Sequence, residues 1–91
     1  MLKEIFLFKG EKPGPKVVIL GGVHGNEVCG VEAIRKIAPN FKITSGELRL
    51  IIANPKAVEQ NVRYTEENLN RCFKKNKKPT GTYEEKLAKE I

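Results

Sequence analysis

The sequence predicts an α/β fold with a mixed, largely parallel sheet and flanking helices. A continuous apolar run, KVVIL at 16–20, is followed by an amphipathic helical pattern and then by a second strand pattern, ELRLIIA at 47–53. Strand, helix and strand in this order form a βαβ unit, whose two strands pair in parallel. The chain of 91 residues suits one small domain over residues 1–91.

The N-terminal part predicts two strands separated by a turn. Residues 2–9 are rich in branched and aromatic side chains, which favour a first strand. Pro13, Gly14 and Pro15 are expected to end it, because they cannot continue a regular ladder. The run at 16–20 lacks polar alternation, which predicts a central strand covered on both faces.

A helix is predicted from about 27 to 38, with Asn26 as its N-cap and Pro39 as its stop. Its apolar side chains recur at helical spacing: Val28, Val31, Ile34 and Ile37. The strand at 47–53 is expected to end at the Asn-Pro pair that follows it.

The C-terminal part combines an irregular segment with a last helix. Residues 54–81 show little periodicity, which is typical of functional loops. Thr82 and Glu85 form a capping box, and one helical face carries Tyr83, Leu87 and Ile91. This face has few expected partners in so short a chain. The sequence therefore looks cut off, and we expect residues 1–91 to be a partial domain.

The composition restricts the function classes. The 17 Lys and Arg against 11 acidic residues give a net charge of +6, which favours anionic ligands. Most of the excess is lysine, typical of solvated surface, and KKNKK at 74–78 has no interleaved aromatic residues, so no nucleic-acid partner is expected. No run approaches the roughly 20 apolar residues that span a bilayer, and no export signal is present, so no membrane partner is expected.

The two cysteines show no spacing typical of a disulfide framework, which favours a reduced, cytoplasmic setting. Cys29 lies near the apolar stripe of the first predicted helix and is expected to be a packed thiol. The cation of Arg71 could lower the pKa of the neighbouring Cys72, but no histidine remains to activate this thiol if His24 binds a metal.

The motif GGVHGNE at 21–27 carries the strongest chemical signal. It places His24 and Glu27 three residues apart at the carboxyl end of a predicted parallel strand, where α/β proteins bind ligands. An imidazole and a carboxylate at such a point suit Zn²⁺. A hydrogen-bonded pair without metal and a phosphate-binding loop are the alternatives, and the lack of a following Lys disfavours phosphate.

A second group of polar residues follows in NVRYTEENLNRCF at 61–73. The planar guanidinium of Arg71, beside the amide of Asn70, can bind a substrate carboxylate with defined orientation. Arg63 can polarise a scissile carbonyl and stabilise its oxyanion. An ordinary loop with surface salt bridges is the alternative.

Together these segments resemble the aspartoacylase and succinylglutamate desuccinylase family, zinc hydrolases related to the zinc carboxypeptidases. The resemblance covers residues 16–91 and is carried, in order, by GGVHGNE, NPKAV, RYTEENLNRCF and TYEEKLAKEI. It implies the N-terminal part of a zinc carboxypeptidase-like fold, with His24 and Glu27 as zinc ligands. It also implies Arg63 as the carbonyl-polarising residue. Further, it implies that Asn70 and Arg71 bind the substrate's carboxylate.

The chain departs from the family pattern at the zinc site. The family has a second His ligand and a catalytic glutamate in later segments, whereas His24 is the only histidine of this chain. Asn68 stands where the family usually has an Asp that orients a zinc-bound His, so weaker metal binding is expected. A missing C-terminal segment or another subunit is expected to complete the site.

The resulting hypothesis is a zinc-dependent amidohydrolase that acts on a small carboxylate-bearing N-acyl amino acid. The chain is expected to be an N-terminal fragment that is inactive in isolation, because it lacks a general base. A noncatalytic remnant that binds a carboxylate or a metal is the alternative. A basic nucleic-acid-binding module is a third hypothesis.

Overall fold

The computed structural model describes residues 1–91. Its elements are β1 (Ile5–Lys9), β2 (Lys12–Gly21), α1 (Val28–Ile37), β3 (Ser45–Ile52), α2 (Pro55–Gln60) and α3 (Tyr83–Glu90). Two short 3₁₀ turns lie at Ala38–Asn40 and Leu69–Arg71. No helix combines the length and the apolar character that crossing a membrane requires.

The sheet is mixed, as predicted. Its strand order is β1-β3-β2, with β3 in the centre. β2 and β3 pair in parallel on either side of α1, which confirms the predicted βαβ unit, while β1 pairs antiparallel with β3. The prediction of a largely parallel sheet is not confirmed, since one of the two strand pairs is antiparallel.

The prediction of a central strand at 16–20 is wrong, because β2 lies at the edge of the sheet. Val17, Val18 and Ile19 are 45%, 52% and 48% exposed. An apolar run indicates that both faces of a strand can be buried, but other helices or strands have to pack on those faces to bury them. In this chain α1 approaches β2 closely only near its C-terminal end, where Gly21 lies against α1.

The segment Pro-Gly-Pro at 13–15 lies within β2 and does not end a strand, contrary to the prediction. The register with β3 shifts between Lys12 and Lys16, so four residue steps on β2 oppose two on β3. Prolines are tolerated in such a bulge because an edge strand does not need every backbone N–H for the ladder.

Helix α1 begins at Val28, one residue later than predicted. The predicted N-cap at Asn26 is wrong: Glu27 occupies the cap position and makes no side-chain capping bond. The N–H of Glu27 donates instead to the carbonyl of His24, at 3.2 Å, so Asn26 lies inside a turn that precedes the helix.

Two apolar clusters form the core. The first lies between α1 and the sheet and consists of Val31, Ile34, Ala38, Leu50 and Ile52. The second joins α3 to the 3₁₀ turn before it and consists of Ala53, Leu69, Cys72 and Leu87. Partly buried residues of the N-terminal half also pack on this second cluster, among them Leu2, Leu20 and Val23. The apolar face of α3 therefore has the partners that the sequence did not reveal.

Asn54 ends β3, as predicted, and it also begins a helix that the sequence analysis missed. Its side chain accepts a hydrogen bond from the N–H of Ala57, at 3.2 Å, and so caps α2. Its own N–H donates to the carbonyl of Gly22, at 3.2 Å. Asn54 is fully buried and fixes α2 against the loop that follows β2.

Only one of the two hydrogen bonds of the predicted capping box forms at the start of α3. Thr82 accepts from the N–H of Glu85, at 3.2 Å. The carboxylate of Glu85 does not return to Thr82 but accepts from the N–H groups of Thr80 and Gly81, at 2.8 and 3.1 Å. These two bonds, with one from Lys77, lower the pKa of Glu85 to about 2.

The loop between β2 and α1 requires glycine at two points. Gly22 has a φ of +70°, the left-handed region that favours glycine. Gly25 lies so close to α2 that a Cβ there would be 2.1 Å from the carbonyl carbon of Ala57. The N–H of Gly25 donates to the carbonyl of Arg63, at 3.2 Å. The loop is therefore held against α2 and the segment after it.

A matched pair of valine substitutions tests the edge position of β2. Ile52→Val should lower the free energy of unfolding by about 0.5–1.5 kcal/mol, because it removes a buried methylene and keeps the branched side chain that strands favour. Ile19→Val should cost clearly less, because 48% of Ile19 is exposed. Urea unfolding followed by circular dichroism measures both losses. Equal losses would contradict the position of β2 at an open edge.

A matched pair of alanine substitutions tests the close contact at Gly25. Gly25→Ala should destabilise the chain by about 1–3 kcal/mol, since the new methyl group would press on the backbone of Ala57. Gly30→Ala should raise stability by about 0.5–1 kcal/mol, because glycine is unfavourable inside a helix. A Cβ at this position would lie no closer than 3.5 Å to any atom of a neighbouring segment. Thermal or urea unfolding measures both, and a neutral Gly25→Ala would show that the loop lies away from α2.

Candidate functional site

The loop after β2 places His24 and Glu27 side by side. Nδ1 of His24 lies 3.2 Å from Oε1 of Glu27. The His24 side chain is 13% exposed and that of Glu27 is 68% exposed. The pair is therefore open to solvent on the side of the carboxylate, where a ligand can reach it.

The other ring nitrogen of His24 is held by Asn68. Nε2 lies 3.0 Å from Oδ1 of Asn68, and the same oxygen accepts from the backbone N–H of Asn70, at 3.1 Å. Because a backbone N–H only donates, this atom is the amide oxygen, and Nε2 must carry the proton that it donates to it. A neutral His24 is therefore the Nε2–H tautomer, and its bare Nδ1 faces the Glu27 carboxylate.

Two electron-rich atoms that face each other at 3.2 Å attract a cation into the space between them. A second proton on His24 supplies one, and a metal ion held by both side chains supplies another. No third His, Cys, Asp or Glu joins this pair. The arrangement is thus a two-ligand pair with its imidazole already oriented.

Asn68 is fixed by the 3₁₀ turn that it caps. Its backbone carbonyl accepts from the N–H of Arg71, at 2.9 Å, and from the thiol of Cys72, at 3.4 Å. Leu69 is fully buried in the second apolar cluster, together with Cys72. The turn that carries Asn68 is therefore anchored in the core.

The two cysteines differ from the sequence predictions. The pKa of Cys72 is raised, mainly because the thiol is buried and also because Glu67 is near, so the lowering that Arg71 could have caused is not found. Cys29 was predicted to be packed, but it is exposed on α1. Its helix turns only Val31 and Ile34 fully toward the sheet, and Cys29 lies outside that narrow stripe.

The structure brings the backbone of the predicted substrate-binding residues close to the His24 loop. The carbonyl of Arg63 accepts from Gly25, next to His24 in the chain. Asn70 and Arg71 follow Asn68 in its 3₁₀ turn, and both are exposed. Their side chains form no hydrogen bond with His24, whose ring nitrogens face only Glu27 and Asn68. The ion pairs of the structure include neither Arg63 nor Arg71, so both guanidinium groups are free.

The segment before Asn68 is clamped to α3 by charged side chains. Glu67 and Glu85 both pair with Lys77, at 2.8 and 3.0 Å. Lys77, Thr82 and Thr80 lower the pKa of Glu67 to about 2. The lysine-rich segment was predicted to be solvated, but this lysine is mostly buried between two carboxylates.

Sequence reasoning missed two buried polar residues near the site, Glu84 and Asn54. The Glu84 carboxylate accepts from the side-chain amide of Asn54, at 2.9 Å, and from backbone groups of the segment 65–67. An Asn before a Pro is a common helix start, so the role of Asn54 had a signal in the sequence. Glu84 had none, because a Glu in a first helical turn is usually exposed.

Comparisons with known proteins find relatives of this chain in one protein family. Residues 13–91 match the family model described as succinylglutamate desuccinylase/aspartoacylase catalytic domain. A probable aspartoacylase of Acaryochloris marina is 39% identical over 80 residues, which are 81% of this chain and 27% of that protein. An N-acyl-aromatic-L-amino acid amidohydrolase (carboxylate-forming) of Xenopus laevis is 37% identical over 91 residues, with 87% of this chain and 28% of that protein covered.

A solved structure has a similar fold over most of this chain. The X-ray structure of succinylglutamate desuccinylase from Vibrio parahaemolyticus matches with a TM-score of 0.64 and 29% identity, over 90% of this chain and 28% of that chain. This chain thus spans about a quarter of the length of these relatives. The family match over 13–91, these relatives and this fold show that the chain belongs to the succinylglutamate desuccinylase/aspartoacylase family.

Proposed function

We propose that this chain forms part of the active site of a zinc-dependent hydrolase that cleaves the amide bond of a small carboxylate-bearing N-acyl amino acid. The observation that carries the proposal is the row of side-chain contacts from Asn68 through the ring of His24 to Glu27. It orients a bare imidazole nitrogen toward a solvent-accessible carboxylate. Deacylation of an N-acyl amino acid is the reaction class of the named relatives. A cytoplasmic setting suits the two free cysteines.

The residues present fit a zinc ion. Two ligand atoms that each lie about 2.0–2.2 Å from one zinc ion are about 3.3–3.6 Å apart at tetrahedral angles. The separation of 3.2 Å between Nδ1 of His24 and Oε1 of Glu27 lies just below this range, so the two atoms are close enough to bind one zinc ion together. Asn68 holds the imidazole in the tautomer that leaves Nδ1 free, as oriented metal-binding histidines require. When bound, zinc supplies Lewis acidity toward the amide carbonyl and toward the attacking water.

The free arginines have the chemistry to hold the substrate. The guanidinium of Arg63 forms no ion pair within the chain, so it can donate hydrogen bonds to the oxygen of the scissile carbonyl. Arg71 can bind the carboxylate of the substrate through two parallel hydrogen bonds, while the amide of Asn70 fixes its orientation. Together they would bind the far end of the substrate and its reacting carbonyl at the same time.

The chain itself offers no general base, so we propose that it binds metal and substrate but turns over negligibly in isolation. The glutamates of the segments 65–67 and 83–85 are all engaged. Glu66 accepts from the N–H of Tyr83, and the contacts of Glu67, Glu84 and Glu85 are those described above. Loss of general-base assistance costs about 10²–10⁴ in rate. A third metal ligand and a base would come from a further segment or another subunit.

Zinc titration of the 91-residue chain tests the proposal, with the resonances of its single histidine as the readout. Zinc should shift the Nδ1 resonance of His24, and Glu27→Gln should abolish this saturable shift. In His24→Ala, which lacks the histidine, the backbone amide resonances of the loop 22–28 serve as the readout and should show no saturable shift. Asn68→Asp should tighten binding by about tenfold or more, because a carboxylate raises the basicity of the imidazole.

The matched control for Glu27→Gln is Glu32→Gln, which changes an exposed glutamate on α1, the helix that follows Glu27, and should bind zinc as the unchanged chain does. Zinc binding that survives both His24→Ala and Glu27→Gln would refute the assignment of the two ligands. Robust hydrolysis of N-acyl amino acids by the purified chain with zinc would refute the claim that it lacks a base.

Arg71→Lys tests the carboxylate-binding role. In the zinc-loaded chain, the affinity for N-acetylaspartate should fall by about tenfold or more, because lysine keeps the charge but loses the bidentate geometry. Arg49→Lys is the matched control, since Arg49 is also exposed and lies in the strand β3. Chemical-shift titration measures both affinities, and zinc affinity should stay unchanged. An unaltered affinity in Arg71→Lys would make Arg71 an ordinary surface charge.

A further inference from the structure

The Glu84 carboxylate is the most heavily bonded buried group of the molecule. It is fully buried and accepts from five donors. Three are the backbone N–H groups of Thr65, Glu66 and Glu67, at 2.9, 3.0 and 3.1 Å, and the others are the Thr65 hydroxyl and the side-chain amide of Asn54, both at 2.9 Å. Consecutive N–H groups that converge in this way form a backbone nest for an anion.

No cation pairs with this carboxylate. Burial alone raises the pKa of Glu84, but the N–H of Thr65 and the amide of Asn54, among other donors, outweigh it, so the pKa is lowered. The charge is therefore retained and is balanced by dipoles that come from two different segments of the chain. A carboxylate so bound fixes the relative position of those segments.

The first of these segments leads directly to Asn68. The backbone at 65–67 is held by Glu84, and the next residue is Asn68, whose amide oxygen accepts from Nε2 of His24 at 3.0 Å. A shift of the 65–67 backbone would displace that oxygen. Glu84 therefore determines where the acceptor for His24 lies.

The second segment leads to the loop that carries His24. Asn54 donates to Glu84 through its side chain, and its backbone N–H donates to the carbonyl of Gly22, two residues before His24. The same side chain caps α2, against which Gly25 packs. Glu84 therefore also determines where the imidazole lies.

We propose that Glu84 is a positioning residue. It holds the donor, Nε2 of His24, and the acceptor, Oδ1 of Asn68, within hydrogen-bond distance of each other. It does so without a hydrogen bond to either residue and thereby selects the Nε2–H tautomer of His24. The importance of that tautomer rests on the proposed zinc site, but the positioning itself is a property of the metal-free chain. A glutamine cannot replace Glu84, because the surrounding groups are all hydrogen-bond donors. A glutamine side chain would offer them only one acceptor oxygen, and its NH₂ group would face further donors.

Nuclear magnetic resonance of the metal-free chain tests this role, because His24 is the only histidine. In the unchanged protein the Nε2–H proton, bonded to Asn68, should be protected from exchange and visible at alkaline pH, where imidazoles are neutral. In Glu84→Gln that signal should be lost. The amides of Thr65, Glu66 and Glu67 should exchange at least about tenfold faster, because they lose bonds to a charged acceptor.

Glu85→Gln is the matched control. Glu85 is the next residue on α3, is also buried and also accepts from two backbone N–H groups, but those belong to Thr80 and Gly81. Its replacement removes one contact of Lys77, which still pairs with Glu67, and leaves all five hydrogen bonds to Glu84 in place, so the Nε2–H signal of His24 should remain. Leu50→Ala, which destabilises the other apolar cluster, should likewise leave that signal in place while lowering stability. General loss of stability is thereby separated from positioning.

Thr65→Val keeps the test decisive if Glu84→Gln does not fold. It removes only the hydroxyl donor to Glu84 and should weaken the protection of the Nε2–H proton in part. A Nε2–H signal that survives in a folded Glu84→Gln, or that stays unchanged in Thr65→Val when Glu84→Gln is unfolded, overturns the proposal. Since none of these readouts involves metal, a failure to bind zinc would refute the proposed function and leave this inference standing.

Discussion

The hydrogen bonds to the buried Glu84 carboxylate join the segments that build the site. Burying a charge without a cation is costly, and it is tolerated only where donors replace the lost water. Here the replacement comes from the backbone at 65–67 and from Asn54, so the helix α3, the loop before Asn68 and the start of α2 have to meet. No buried side-chain polar atom is left without a partner. The polar network therefore specifies the same arrangement as the apolar cluster beneath it.

The thin apolar core explains why so much of the structure relies on polar contacts. One cluster lies between α1 and the sheet, and a second lies under α3. On the edge strand β2, by contrast, Val17, Val18 and Ile19 remain about half exposed. The ladder with β3 and the glycine-rich loop at its end hold this strand, rather than cover on both faces. The site lies where this strand passes into the better packed half of the molecule.

The charges near the site are divided between two tasks. Glu67 and Glu85 are neutralised by Lys77 and by hydroxyl and backbone donors, so they fix the loop and are not available to a ligand. Arg63 and Arg71 have no intrachain partner, which leaves two free guanidinium groups on segments next to His24. With a net charge of +6, this distribution favours an anionic ligand, as the proposed substrate would be.

The sequence by itself determined the βαβ unit, the last helix and the pairing of His24 with Glu27. These features depend on local periodicity and on residues three apart, which a linear pattern records directly. The motifs also sufficed to identify the family, because four of them occur in a fixed order. Only the tertiary structure decided that β2 is an edge strand and that Pro-Gly-Pro lies in a bulge within it. It alone showed that Glu84 is buried beneath the loop. The physical reason is that burial and hydrogen-bond satisfaction depend on which distant segments meet, and Glu84 lies 30 residues from Asn54 in the chain.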